Sequence, residues 1–173
     1  MDRDELHRMI RVDQAGEFGA TRIYKGQLAV MGDRGPHSAE IRHMAEQEET
    51  HCARFDAVLA KRGVRPTALH PFWSAAGYAL GAGTALLGPE AAMACTAAVE
   101  TEIDKHYSDQ LDRLAETGSE PELAEMIEEF REEEREHRDA ALANGAESAP
   151  AYPLLSGAIR LGCRIAIKVS ERI

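Results

Sequence analysis

The sequence predicts an all-α protein. Four long helices pair into two antiparallel hairpins, a long apolar crossover joins the hairpins, and a C-terminal amphipathic helix follows. Three observations predict this. Ala, Leu, Glu and Arg dominate, aromatic residues make up only 5% and β-branched runs are few, which is helical composition. Two strong breakers, Gly32-Asp-Arg-Gly-Pro36 and Gly118-Ser-Glu-Pro121, each stand between two helical stretches. Finally, a Glu-x-x-His pair occurs twice, as Glu48-Glu-Thr-His51 and Glu134-Arg-Glu-His137, each with a solitary glutamate upstream, Glu17 and Glu100. A length of 173 residues suits one domain with a substantial core.

The first helix is expected from about Asp2 to Met31, with Val12, Phe18, Ile23, Leu28 and Met31 at helical spacing. Gly16 and Gly19 lie inside it, and each costs a helix about 1 kcal/mol relative to Ala. Two reasons would offset that cost: room beside Glu17 for a metal or substrate, or close helix packing. The second helix, about Ser38 to Arg62, carries Glu48 and His51, and also the decoy Glu40-Ile-Arg-His43. Hairpin geometry separates the two, because residues at one height must be equally far from the turn. Glu17 and Glu48 centre between Gly32 and Asp33, inside the breaker, whereas Glu17 and Glu40 would centre near Leu28 and Ala29, inside a helix. The second hairpin gives the same result. Helices of about Ala91–Glu116 and Pro121–Asn144 place Glu100 and Glu134 symmetrically about Thr117. The single domain 1–173 thus divides into a first hairpin (1–62), an apolar crossover (63–90), a second hairpin (91–144) and a terminal helix (150–173).

This register brings Glu17, Glu48, His51, Glu100, Glu134 and His137 to one level. On a helix, residues three apart project from one face, and this inventory is the ligand set of carboxylate-bridged two-metal sites in four-helix bundles. Hard carboxylate oxygens with two imidazoles suit iron or manganese. Four carboxylates balance two divalent ions, and a reduced iron pair can give O₂ two electrons at once, which zinc cannot. Glu100 sits near the end of an almost uncharged stretch, where a carboxylate is expensive unless it is paired or bound to metal. Tyr24 and Tyr107 each fall seven residues after a lone glutamate, on the same face. They suit core packing, electron relay or a hydrogen bond to a metal-bound oxygen.

A formal net charge of −10 argues against a general nucleic-acid binder. Cys52, Cys95 and Cys163 lack finger or redox spacing and read as reduced, buried thiols of a cytoplasmic protein. The start of the chain has no secretory signal pattern. Between Pro71 and Val99 the only charge is Glu90, and Gly81-Ala-Gly83 and Gly88-Pro89 are expected to interrupt any spanning helix. The first part of this stretch reads as a crossover facing lipid or an apolar partner, and the rest as a buried helix. After Pro153, Arg160, Arg164, Lys168 and Arg172 recur every four residues among Leu154, Leu155, Ile159, Leu161, Ile165, Ile167, Val169 and Ile173. A basic stripe on an apolar helix suits contact with anionic lipid. Packing against the bundle, with the cations snorkelling, is the competing arrangement.

These residues also carry a family resemblance. Arg11-Val-Asp-Gln-Ala-Gly-Glu-Phe-Gly-Ala20, Arg22-Ile-Tyr24, Gln47-Glu-Glu-Thr-His51, Leu80-Gly-Ala-Gly-Thr-Ala-Leu-Leu-Gly88, Ala92-Met-Ala-Cys-Thr-Ala-Ala-Val-Glu100, Glu134-Arg-Glu-His137, Ala149-Pro-Ala-Tyr152 and Gly162-Cys-Arg-Ile-Ala-Ile-Lys-Val-Ser-Glu-Arg172 resemble the demethoxyubiquinone hydroxylases, ferritin-like di-iron monooxygenases of ubiquinone biosynthesis. The resemblance implies hydroxylation of a polyprenyl demethoxy quinol by O₂, two iron ions cycling between Fe²⁺ and Fe³⁺, and NADH as the source of electrons. It implies that Glu17, Glu48 and His51 hold one iron and Glu100, Glu134 and His137 the other, with Glu48 and Glu134 bridging. A long-tailed substrate implies a peripheral protein on the cytoplasmic face of a bacterial inner membrane, since the mitochondrial extension of eukaryotic relatives is missing. It leaves open a lipid-binding accessory protein and a homo-oligomer. The rival function is iron oxidation and storage of the ferritin or bacterioferritin kind, which uses a related ligand set but has polar surfaces.

Overall fold

In a computed structural model, which describes residues 1–172, the chain forms α1 (Arg3–Met31), α2 (Ser38–Arg62), α3 (His70–Leu86), α4 (Pro89–Thr117), α5 (Pro121–Ala143), a 3₁₀ turn (Ala146–Ser148) and α6 (Tyr152–Ser170). Among the described residues there is no strand. This is the expected all-α, ferritin-like bundle, with α1–α2 and α4–α5 as its hairpins. Ile173, placed by its spacing on the apolar part of the terminal helix, lies outside the described residues.

The helix ends follow local chemistry. The Asp2 carboxylate accepts the Glu5 N–H at 2.7 Å and caps α1, a contact worth about 1 kcal/mol. Pro89 and Pro121 open α4 and α5, where a missing N–H costs nothing. Helix α4 starts two residues before the expected Ala91, because Gly88, at φ 125°, makes the break and Pro89 already suits the first turn.

The ligand level separates two cores. Toward one end Leu6, Ile10, Phe55, Leu59, Leu114, Ile127 and Phe130 pack together. Toward the other lies an alanine-rich cluster that includes Ala20, Ile41, Met44, Ala91, Met93, Ala94 and Ala141. Every residue from Ala91 to Glu100 is buried, as expected for the second part of the apolar stretch.

The crossover differs from expectation in one respect. Gly81-Ala-Gly83 does not interrupt it, and α3 runs through these residues as one helix. The reason is contact between backbones. A Cβ on Gly81 would stand 1.9 Å from the Ile23 carbonyl oxygen, and one on Gly26 would stand 2.3 Å from that of Tyr78. The glycines let α3 lie directly on α1, and this packing holds them helical. Phe72, Tyr78, Leu86 and Leu87 project outward from α3 and its end. No described helix is long and apolar enough to cross a membrane.

Helix α6 also departs from the simple stripe. Arg160 and Arg164 turn toward the bundle and donate to one buried carboxylate oxygen, Glu102 Oε1, at 2.6 and 2.9 Å. Leu154, Leu161 and Ile165 are all more than half exposed, and of the expected basic stripe Lys168 and Arg172 stay exposed with them. For Arg160 and Arg164 the competing arrangement holds. The unpaired Glu102 would otherwise be a costly buried charge.

Candidate metal centre

Each of the two hairpins delivers one lone glutamate and one Glu-x-x-His pair to the middle of the bundle, where all six side chains are buried. They converge as two overlapping sets. Glu17, Glu48, His51 and Glu134 offer atoms within 4.8 Å of one another, and so do Glu48, Glu100, Glu134 and His137. Glu48 and Glu134 belong to both. The decoy takes no part: His43 is exposed, and neither it nor Glu40 joins either set.

Glu134 spans the two positions. Its Oε1 lies 3.1 Å from His51 Nδ1 and its Oε2 lies 3.1 Å from His137 Nδ1. Both imidazoles therefore turn Nδ1 inward, with ring centroids 6.5 Å apart. Glu17 Oε2 and Glu48 Oε1 are buried and accept no hydrogen bond, although an imidazole Nδ1 stands 3.3 and 3.2 Å from them. Such oxygens are rare in folded interiors, and they fit a missing positive partner.

The electrostatics agree. Burial and then the charge of Glu134 push the Glu48 and Glu100 carboxyls well above the ordinary range. Burial opposes ionisation of Glu134 too, but His137 and His51 outweigh it and hold that carboxyl at about 2. His51 is raised to about 11, since burial is overcome by Glu134 and Glu17. The cluster thus carries more carboxylate charge than its own imidazoles balance. Two divalent ions would balance four carboxylates and release that strain.

The tyrosines cross between halves. Tyr24 of α1 donates to Glu100 Oε1 at 2.9 Å, and Tyr107 of α4 donates to Glu17 Oε1. Both rings are buried core residues as well. Their hydroxyls fix the lone glutamates.

Other contributors were not singled out by the sequence reading. His51 Nε2–H donates to Glu133 Oε2 at 2.5 Å, and His137 Nε2–H donates to Gln47 Oε1 at 3.0 Å. Phe130 stacks on His51 at 4.0 Å between centroids. Gln47 and Glu133 each directly precede a shared glutamate, so extending the repeat by one residue would have found them; Glu133 was lost in the charge run Glu132–Glu136.

An apolar cavity of about 300 Å³ lies beside the centre, walled by α1, α3, α4 and α6. Gly16 and Val99, next in sequence to Glu17 and Glu100, line it, with Trp73, Leu80, Ile159 and Cys163 opposite or beside them. Gly19 also lines it, and a Cβ there would meet nothing within 4 Å. Gly16 and Gly19 thus provide space, while Gly26 and Gly81 provide close packing.

Comparisons with known proteins show the family of the chain. The family model "Ubiquinone biosynthesis protein COQ7" matches residues 4–170. A 3-demethoxyubiquinol 3-hydroxylase of Rhodospirillum rubrum is 58% identical over 97% of this chain and 78% of its own. The human NADPH-dependent 3-demethoxyubiquinone 3-hydroxylase, mitochondrial, is 50% identical over all of this chain and 80% of its own. The 5-demethoxyubiquinone hydroxylase, mitochondrial, of Saccharomyces cerevisiae is 44% identical over 97% of this chain and 78% of its own. With a family model covering nearly its whole length and relatives this similar, the chain belongs to the COQ7 family of ubiquinone biosynthesis proteins.

Proposed function

We propose that this protein is a di-iron monooxygenase that hydroxylates 5-demethoxyubiquinol (2-polyprenyl-3-methyl-6-methoxy-1,4-benzoquinol) with O₂. The observation that carries the reading is the pair of overlapping ligand sets beside an apolar cavity. The names of the relatives support hydroxylation rather than iron storage.

Glu17, Glu48 and His51 would hold one iron, Glu100, Glu134 and His137 the other, and Glu48 and Glu134 would bridge. Two irons held by these residues would supply the electrons for a two-electron reduction of O₂. The chain does the rest. Tyr24 and Tyr107 keep the lone glutamates aimed inward, and the outer hydrogen bonds of the histidines fix the ring orientation that leaves Nδ1 free to ligate. The cavity excludes water from the quinol ring. A reduced nicotinamide provides the electrons. The mammalian relatives are named for NADPH, so NADH and NADPH should be assayed side by side.

We further propose one working unit of hairpins, crossover and terminal helix, peripheral to the cytoplasmic face of a bacterial inner membrane. The exposed Phe72, Leu86, Leu87, Leu154, Leu161 and Ile165 on α3, its end and α6 support membrane contact by an apolar face. A polyprenyl tail would stay in the bilayer while the head group enters between α3 and α6. The test is mass spectrometry of iron-loaded protein with demethoxyubiquinol, either nicotinamide and ¹⁸O₂. Product carrying one ¹⁸O, lost in Glu134→Ala, supports the reading; full iron loading with no labelled product defeats it.

A further inference from the structure

We infer that the two metal positions are unequal by construction, and that the Glu17/His51 position holds its ion more tightly because Glu133 backs His51 where neutral Gln47 backs His137. The inference rests on the two-metal reading above and goes beyond its ligand set.

The argument comes from internal symmetry. The halves repeat with an offset of 83 residues around the lone glutamates and 86 around the Glu-x-x-His pairs. Under this repeat Tyr24 corresponds to Tyr107, and the two hydrogen bonds they make to lone glutamates are equivalent. Gln27 corresponds to Gln110: Gln27 donates to the Ala92 carbonyl at 3.0 Å and reaches toward Thr96 Oγ1 at 3.5 Å, while Gln110 donates to Asp13 Oδ1 at 2.6 Å, and Thr96 and Asp13 each stand one turn before a lone glutamate. The tyrosines packed on the lone glutamates are thus matched, so a difference in charge beside a ligand stands out.

Among the groups that these glutamines reach and those that back a ligand histidine, two differ in charge, and both fall on the Glu17/His51 side. Thr96 corresponds to Asp13, and Gln47 corresponds to Glu133. The Asp13 difference is tempered by His106, whose Nε2 lies 3.1 Å from Asp13 Oδ1. The Glu133 difference is direct. Its carboxylate accepts from His51 Nε2–H at 2.5 Å, whereas the Gln47 amide oxygen accepts from His137 Nε2–H at 3.0 Å. A carboxylate behind a metal-bound imidazole makes it a stronger donor, and such partners typically change affinity about 10–100-fold when mutated. The Glu133 side chain is one-third exposed, so water screens it and the low end, about tenfold, is expected. Glu133 and Gln47 are positioning residues; neither belongs to the ligand sets.

The test titrates the metal-free full chain with Co²⁺ at fixed pH, following the visible bands, and locates the first ion by anomalous diffraction from crystals given one equivalent of Mn²⁺. The expected result is two steps about tenfold apart, with the first ion at Glu17/His51. Glu133→Gln should weaken the tighter step about tenfold and bring the two together, and Gln47→Glu should strengthen the weaker step. Glu133→Asp should restore part of the gap, which a purely structural role would not do. Two equal steps, a first ion at Glu100/His137, or a Glu133→Gln titration identical to that of the unaltered protein would overturn the inference while leaving the two-metal reading intact. Should Glu133→Gln fold poorly, the Gln47→Glu titration decides alone. Uptake of no ion at all would overturn both.

Discussion

A methyl group at Gly81 should prise α3 away from α1. Its Cβ would stand 1.9 Å from the Ile23 carbonyl oxygen and 2.7 Å from the carbonyl carbon. Ordinary contact needs about 3.5 Å, so the helices must part by roughly 1.5 Å. The obstructing atoms are backbone and cannot rotate aside. Overpacking of this kind costs about 1–3 kcal/mol, and the upper end applies here. Ala is a better helix former than Gly by about 1 kcal/mol, which leaves a net loss of about 2 kcal/mol. For a chain of this size that lowers Tm by about 4–8 °C. Gly19→Ala is the matched control. A Cβ there meets nothing within 4 Å, so only the propensity gain remains and Tm should rise by about 2–4 °C. Circular-dichroism melts of both variants provide the assay. A Gly81→Ala protein that melts at or above the unaltered one would refute the reasoning that these glycines hold α3 on α1.

Three other expectations concern the rest of the molecule. Replacing Arg160 and Arg164 together by Gln leaves Glu102 buried and unpaired, and should cost about 3–5 kcal/mol, against about 1–2 kcal/mol for Glu102→Gln, whose arginines can turn to water; urea melts give the order, and equal costs would contradict it. Burial raises the Asp13 carboxyl, although His106 and Gln110 partly offset this. The folded state therefore holds the Asp13 proton more tightly than the unfolded chain does. That contribution is fully present below the ordinary aspartate pKa and is lost as pH rises through the folded value. Asp13→Asn should accordingly gain stability relative to the unaltered protein as melts move from pH 4 to pH 7, and a gap that does not widen would contradict this. Leu161→Asp with Ile165→Asp should abolish sedimentation with anionic vesicles while moving Tm little, because both side chains are about half exposed; retained binding would exclude α6 as the contact.

Much of this protein can be read from residue order because its long helices are nearly one-dimensional. Turn positions set the register of each hairpin, and register alone brings Glu17 level with Glu48 and Glu100 level with Glu134. Contacts made between distant helices cannot be read that way. Gly81-Ala-Gly83 resembles a helix breaker unless α1 is known to lie against it. The arginines of α6 resemble a lipid-facing stripe until Glu102, on α4, supplies their partner. Glu133 hides among neighbouring acids, and only the approach of His51 from α2 sets it apart.

The most direct measurement is the iron content of the full chain after anaerobic loading and desalting, by Mössbauer spectroscopy and metal analysis, for the unaltered protein and for Glu134→Ala. Because Glu134 lies between both imidazoles, with one oxygen toward each, the account expects two irons per chain in the first and loss of coupled iron from both positions in the second. Two coupled irons retained in Glu134→Ala, or fewer than two in the unaltered protein under saturating iron, would contradict it.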